Sequence, residues 1–283
     1  MQIVQVGKIK IGQGNPLLLI AGPCVIESEE VVMHTAETLK KISEKLEIPF
    51  VFKSSYLKDN RSSASSYQGP GLEKGLKILQ KVKDTFNVLL LSDIHNAHDA
   101  EACAEVLDIV QIPAFLSMQT SLLQAVAKSG VVVNIKKGQF LAGGDLSASI
   151  NKIKDAGSER ILLTERGSMF GYGNLVVDMR SLKVMRDLGY PVIMDSTHAL
   201  KKYGVRNNDK SGWAKEFIFG LSRSAVAMGV DGFFIETHPD CDSALCDADS
   251  MLPLGRMEEL MRQLKEIDHL IKPNLKGDDQ GLY

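Results

Sequence analysis

Eight short apolar runs, each followed by a longer segment with helical spacing, constrain this chain more than any other feature. The runs occupy residues 17–21, 50–53, 88–91, 109–112, 131–135, 161–164, 192–195 and 232–235. They are rich in Val, Ile, Leu and Phe without polar alternation, the pattern of parallel strands covered on both faces. Segments 29–46, 71–86, 97–106, 116–128, 148–156, 182–188, 213–228 and 254–271 carry the apolar spacing of amphipathic helices. Regular alternation of eight strands and eight helices predicts an α/β fold, a closed (β/α)8 TIM barrel. An open doubly wound sheet is the runner-up, but no Gly-x-Gly-x-x-Gly follows the first run. Residues 3–6 and 8–11 flank Gly7 and predict a short hairpin at the N-terminal mouth of the barrel. Residues 1–283 are therefore expected to form one barrel domain, with 1–14 as the N-terminal β-hairpin.

A net charge of -2 argues against a general nucleic-acid binder, which carries a strong basic excess. The first residues alternate instead of running from basic to apolar, unlike a signal peptide. No apolar run is long enough to span a bilayer. Cys24, Cys103, Cys241 and Cys246 lack the close pairing of a zinc ribbon, and nothing in their spacing implies an oxidising compartment. The expectation is a cytoplasmic protein without a nucleic-acid or membrane partner.

The positive charge must then act locally. Directly behind the second run, residues 53–63 gather Lys53, Lys58 and Arg61 with Ser54, Ser55, Ser62 and Ser63. Fixed cations beside small hydroxyl donors at a strand exit suit phosphate or carboxylate oxygens. Barrel active sites lie at the C-terminal ends of the strands. There the runs are followed by Gly22-Pro23-Cys24, by Lys53 and Lys58, by Asp93 and His95, by Gln111, by Lys136 and Lys137, by Glu165 and Arg166, by Asp195 and His198, and by Glu236 and His238. Taken singly, a Cys or His in such a place is more often a core residue. Together these groups predict a site on one face of the barrel. Lys53, Lys58, Arg61, Lys136 and Arg166 exceed the needs of one phosphate and predict two anionic substrates or one bis-anion. Cys24, His198, Glu236 and an acid of the last loop can converge on a divalent cation of borderline softness, namely Mn²⁺, Fe²⁺, Co²⁺ or Zn²⁺.

Several segments resemble the 3-deoxy-D-manno-octulosonate 8-phosphate synthase family. They are residues 21–28 around Gly22-Pro23-Cys24, the stretch ending Asn60-Arg61-Ser62-Ser63, Lys136-Lys137-Gly138-Gln139-Phe140, Glu165-Arg166-Gly167 with Phe170-Gly171-Tyr172, and Asp195-Ser196-Thr197-His198. The resemblance implies a usually tetrameric barrel that condenses phosphoenolpyruvate with D-arabinose 5-phosphate in supply of the lipopolysaccharide sugar Kdo. It implies Lys53, Ser55, Lys58, Gln111, Lys136 and Arg166 around phosphoenolpyruvate, and Asn60, Arg61 and Ser62 around the pentose phosphate. Arg61 and Ser62 are expected to reach in from a neighbouring subunit. The same resemblance implies Cys24, His198, Glu236 and Asp247 as metal ligands; the chain departs from the family's pattern in Leu245-Cys246-Asp247-Ala248-Asp249, where a second acid, Asp249, sits beside Asp247 and Cys246 is similar to metal-independent relatives. Asp93 is expected to position the pentose or relay protons, and Lys136, Arg166, Asp93 and His198 to act in catalysis. Relatives that work without metal carry Asn at the cysteine position, so Cys24 is similar to the metal-dependent group. The sister family that makes 3-deoxy-D-arabino-heptulosonate 7-phosphate from erythrose 4-phosphate is the nearest alternative, but it carries a Lys-Pro-Arg-Thr-type motif where this chain has Lys53-Ser54-Ser55. A sugar-phosphate-binding barrel without activity is a further alternative. The long polar loop 199–212, with Lys201, Lys202, Arg206 and Lys210, is expected to close as a lid over bound anions.

Overall fold

A computed structural model describes residues 1–61, 63, 65–169, 174–202 and 214–275. Strands β1 (Val4–Val6) and β2 (Ile9–Ile11) form an antiparallel hairpin with Val4 opposite Ile11. Eight parallel strands follow: β3 (Leu18–Gly22), β4 (Phe50–Lys53), β5 (Leu89–Asp93), β6 (Ile109–Ile112), β7 (Val132–Lys136), β8 (Ile161–Glu165), β9 (Val192–Asp195) and β10 (Gly232–His238). They pair in chain order, and β10 pairs with both β9 and β3, which closes the barrel. Helices α1 (Glu29–Leu46), α2 (Leu72–Phe86), α3 (Ala100–Val106), α4 (Thr120–Lys128), α5 (Leu146–Asp155), α6 (Met179–Asp187), α7 (Ile218–Ala227) and α8 (Met257–Ile271) alternate with the strands. A two-residue strand, β11 (Leu252–Pro253), extends the far end of β10.

The alternation hidden in the apolar runs becomes visible in the packing. Leu19, Phe50, Phe52, Leu90, Val110, Val133, Leu163, Met194 and Phe233 pack outward against the helices. Leu18, Ile20, Val51, Leu91, Ile109, Val132, Leu162, Ile193 and Phe234 pack inward with Val4, Val6 and Ile11 of the hairpin. The hairpin therefore plugs the N-terminal mouth, as its sequence predicted. Continuing the inward parity up each strand gives Lys53, Asp93, Gln111, Asn134, Lys136, Thr164, Asp195 and Glu236. The barrel interior thus changes from apolar to charged along its axis.

Helix α1 illustrates how local signals set the frame. Ser28 caps it by accepting the Val31 N–H at 3.2 Å, Glu29 and Glu30 face the positive end of the dipole, and Glu47 ends it with φ of 53°. Segment 116–128 is broken, in contrast to its expected continuity. Ser117 and Met118 give their carbonyls to Ser149 Oγ and Lys152 Nζ, both at 2.6 Å, instead of to a helix, and α4 begins only at Thr120. Several strands also run past the expected apolar limit: β5 to Asp93, β7 to Lys136, β8 to Glu165 and β10 to His238. Backbone pairing continues after the side chains turn polar, so the chemical groups sit on rigid strand ends.

Asp231, just before β10, is buried and accepts the Val192 N–H at 2.9 Å. Burial raises its pKa to about 6, against the opposing Val192 bond and Arg186. Folding therefore favours the protonated carboxyl: that contribution is complete below the unfolded value near 3.8 and is lost as pH rises through about 6. Asp231→Asn keeps an acceptor and removes the ionisation. Its stability relative to the parent, measured by urea unfolding, is expected to improve by about 1–3 kcal/mol between pH 4 and pH 7. A pH-independent difference would contradict this account.

Candidate active site

At the top of the barrel the polar ends of the strands form one buried ion-pair network over the Phe234 ring. Lys53 Nζ donates to Glu236 Oε1 at 2.6 Å and to the Cys24 carbonyl at 2.9 Å. Lys58 Nζ lies 3.6 Å from Asp93 Oδ2 and 3.9 Å from Glu236 Oε1. Lys136 Nζ pairs with Asp195 Oδ2 at 2.6 Å and stands 4.2 Å from the Phe234 ring centroid, where a cation is favoured. The Ser55 hydroxyl bonds Asp93. Gln111 accepts from Asn134 at 3.1 Å and Asn134 from Thr164 at 2.7 Å, a polar belt across β6, β7 and β8.

Burial alone would raise the pKa of each carboxyl here, but the cations win. Lys58 with His95 holds Asp93 well below the usual carboxylate range, and His198 with Lys136 does the same for Asp195. Glu236 is drawn down to about 2 by His198, Lys53 and Lys58 despite burial and the nearby Asp247. For the lysines the balance differs between neighbours. Burial would lower Lys58, yet Asp93, Cys24 and Glu236 raise it well above the ordinary lysine value. Burial does lower Lys136, aided by Arg166 and opposed by Asp195 and Glu236. Lys136 is thus the more readily deprotonated of the two.

The other half of the mouth holds soft and hard donors together. His198 Nδ1 is 2.8 Å from Asp195 Oδ2, while its Nε2 faces Glu236 Oε2 at 3.4 Å and Asp247 Oδ2 at 3.3 Å. His198, Glu236 and Asp247 form one group of potential metal-ligand atoms lying within 4.8 Å of one another, and Cys24, Cys246 and Asp247 form a second. Asp247 belongs to both and has a left-handed φ of 51°, an unusual backbone state for a non-glycine residue. The surrounding segment is pinned by the β10–β11 pairing and by Glu27, whose carboxylate accepts the Leu245 N–H at 2.7 Å and lies 3.6 Å from His238 Nε2. On the opposite side, Gly22 permits the turn into Cys24: a Cβ there would fall 1.9 Å from the Lys53 carbonyl oxygen. Burial, then Cys246 and Asp247, push the Cys24 thiol up.

The structure brings together Cys24, Lys53, Ser55, Lys58, Asp93, Lys136, His198, Glu236 and Asp247 of the residues singled out in the sequence. Gln111 lies in the belt beneath them, and buried Arg166 is close enough to Lys136 to lower it. Arg61 Nη1 contacts Cys246 Sγ at 2.6 Å and lies 3.7 Å from Asp247, at the rim. Asn60 is exposed on the same loop. Ser62, Phe170-Gly171-Tyr172 and positions 203–212 of the expected lid lie outside the described residues. Three groups expected at the mouth do not converge on it. Glu165 points outward, where Ser181 Oγ and the Arg166 and Gly167 N–H groups bind it, and Lys137 braces the same loop through Leu141, Gly167 and Ser168. His238 is occupied by Asp240 and Glu27. Asn134, Thr164 and Cys246 join the mouth without being singled out in the sequence as site residues, and Lys201 joins it from the expected lid. Lys201 binds Asp247 directly, and strand parity alone could have revealed Asn134 and Thr164.

Residues 1–273 match the model of the DAHP synthetase I family. The chain is 50% identical over 269 residues to the 2-dehydro-3-deoxyphosphooctonate aldolase of Geobacter metallireducens, covering 95% of this chain and 98% of the relative. Proteins of the same name from Syntrophotalea carbinolica and Desulfotalea psychrophila are 51% and 52% identical, covering 97% and 92% of this chain and 99% and 92% of their own. The chain therefore belongs to the DAHP synthetase I family, among its 2-dehydro-3-deoxyphosphooctonate aldolases.

Proposed function

We propose that this chain condenses phosphoenolpyruvate with D-arabinose 5-phosphate and water, giving 3-deoxy-D-manno-octulosonate 8-phosphate and phosphate for Kdo and lipopolysaccharide synthesis. The observation that carries the reading is the joining, in one mouth, of the buried cations Lys53, Lys58 and Lys136 to the donor groups around Asp247. Carbon 3 of phosphoenolpyruvate bonds to the aldehyde carbon, water adds at carbon 2, and phosphate leaves by C–O cleavage. Two anions must be held against each other, so positioning is a large part of catalysis. We assign Lys53, Ser55, Lys58, Gln111, Lys136 and Arg166 to phosphoenolpyruvate, and Asn60, Arg61 and Ser62 to the pentose phosphate. Asp93, bonded to Ser55 and Lys58, orients the pentose. Lys136, with its lowered pKa, holds the proton at Nζ that the departing phosphate can accept, while Arg166 steadies the charge on that phosphate.

A divalent ion fits the donors. Asp195 fixes Nδ1 of His198, which leaves Nε2 directed between two carboxylates, and a cation is what such a trio calls for. Cys24, His198, Glu236 and Asp247 would hold Mn²⁺, Fe²⁺, Co²⁺ or Zn²⁺, which supplies Lewis-acid polarisation and orientation of oxygen ligands. Asp249 is buried nearby but joins neither donor group among the described residues. A homotetramer belongs to the same proposal; Arg61, expected to reach in from a neighbouring subunit, lies instead against Cys246 and Asp247 of its own chain, and Ser62 lies outside the described residues. Phe115, Phe140 and Met169, exposed on the loops after β6, β7 and β8, support an apolar contact between copies. No helix among the described residues is long and apolar enough to cross a membrane.

Phosphate release tests the assignment: it should require both substrates, with arabinose 5-phosphate preferred over erythrose 4-phosphate in kcat/KM. Release with either substrate alone, or the opposite preference, would reject it. Arg61→Ala removes a guanidinium from the rim and is expected to raise KM for the pentose phosphate roughly tenfold to a hundredfold, with little change for phosphoenolpyruvate. An equal change for both would move Arg61 to the other anion.

A further inference from the structure

We propose that Cys246 is a further protein donor at the metal site, so that the ion taken up by this chain is held by two thiolates. The inference rests on the metal reading above and extends it by one residue. Cys246 Sγ, Cys24 Sγ and an Asp247 carboxylate oxygen lie within 4.8 Å of one another, and Asp247 also completes the group with His198 and Glu236. The two sulfurs are in direct contact at 2.7 Å although 222 residues separate them in sequence.

Cys246 can be read as a small apolar residue, since it packs with Val25, Cys241 and Met251. Its sulfur has polar surroundings nonetheless: the Cys24 thiol on one side and the Arg61 guanidinium at 2.6 Å on the other. Consecutive side chains of an extended strand point apart, whereas the left-handed φ of 51° at Asp247 breaks that alternation and lets Cys246 and Asp247 serve one centre. The added negative charge is matched locally. Lys201 and Arg61 face Asp247, and Lys53 and Lys58 face Glu236. A second soft donor favours Zn²⁺, Fe²⁺ and Co²⁺ over the harder Mn²⁺ and Mg²⁺.

X-ray absorption at the zinc edge of the reduced, zinc-loaded protein tests this without reference to turnover. Two sulfur neighbours at about 2.3 Å are expected in the parent, and one each in Cys246→Ser and Cys24→Ser. Cys103→Ser, whose thiol lies against Tyr56, should keep two. Competition binding should show the preference for Zn²⁺ over Mn²⁺ falling roughly tenfold in Cys246→Ser. One sulfur in the parent, unchanged in Cys246→Ser, overturns the proposal while leaving the metal reading intact. A parent that takes up no stoichiometric zinc, manganese or cobalt overturns the metal reading itself. Should Cys246→Ser fail to fold, the sulfur count of the parent decides alone.

Discussion

Chelation followed by verified metal removal is expected to lower turnover at least about a hundredfold, and Mn²⁺, Co²⁺ and Zn²⁺ should restore it to different extents. The expectation follows from charge. Glu236, Asp195 and Asp247 are all held ionised in a closed site, and His198 Nε2 faces two of them, at 3.4 Å from Glu236 and 3.3 Å from Asp247. Without the ion, the side chains alone must satisfy these carboxylates: Lys201 and Arg61 at Asp247, Lys53 and Lys58 at Glu236, and Lys136 at Asp195. Cys24→Asn is the sharper variant, because it replaces the soft thiol donor by a neutral amide, the residue that the family resemblance implies for members working without metal. It is expected to stay at low activity with or without added metal. A neutral amide in place of Cys24 does not alter Cys246, Lys201 or the two-sided contact of His198, all of which shape the site around it. Full turnover of the metal-free parent would remove the ion from the reaction, and full metal-free turnover of Cys24→Asn would show that Cys24 alone separates the two modes.

The frame of the molecule was readable where local signals agree. For β4, β6, β9 and α1 the apolar run or cap coincides with the element's ends, Phe50–Lys53, Ile109–Ile112, Val192–Asp195 and Glu29–Leu46. Where two signals part, the reading failed. The apolar run of β10 ends near Ile235, yet its backbone pairs with β3 through Glu236 and then with β11 through His238. The convergence of polar groups at the mouth is legible because a barrel gathers strand ends, but that rule does not tell inward from outward positions. Asp93 and Lys136 share parity with the inward Leu91 and Val132; Glu165 has the opposite parity to the inward Leu162 and Thr164 and turns to the helices. The contact between Cys24 and Cys246 leaves no periodic trace at all, since it depends on how the loop before β11 returns across the mouth.

Lys53→Met is expected to lower the stability of the metal-free protein by about 3–5 kcal/mol and to weaken phosphoenolpyruvate binding roughly tenfold to a hundredfold. Lys53 and Glu236 are each at most 1% exposed and their charged atoms lie 2.6 Å apart. Removing the ammonium leaves the Glu236 carboxylate buried, with only His198 Nε2 at 3.4 Å and Lys58 at 3.9 Å as its remaining charged partners. Such a charge costs far more unpaired than the pair contributes over an apolar substitute. The two effects can be separated by adding Glu236→Gln. The double variant has no buried carboxylate at that position, so most of the lost stability should return in thermal or urea unfolding of the metal-free protein. Phosphoenolpyruvate binding, followed by calorimetry on the same samples, should stay weak, because the cation that would meet its oxygens is still missing. A double variant as unstable as Lys53→Met would show that the lysine's packing over Phe234, 5.3 Å from the ring centroid, matters more than its charge. Recovery of binding together with stability would make Lys53 a structural partner of Glu236 and leave the anion to Lys58, Lys136 and Arg166.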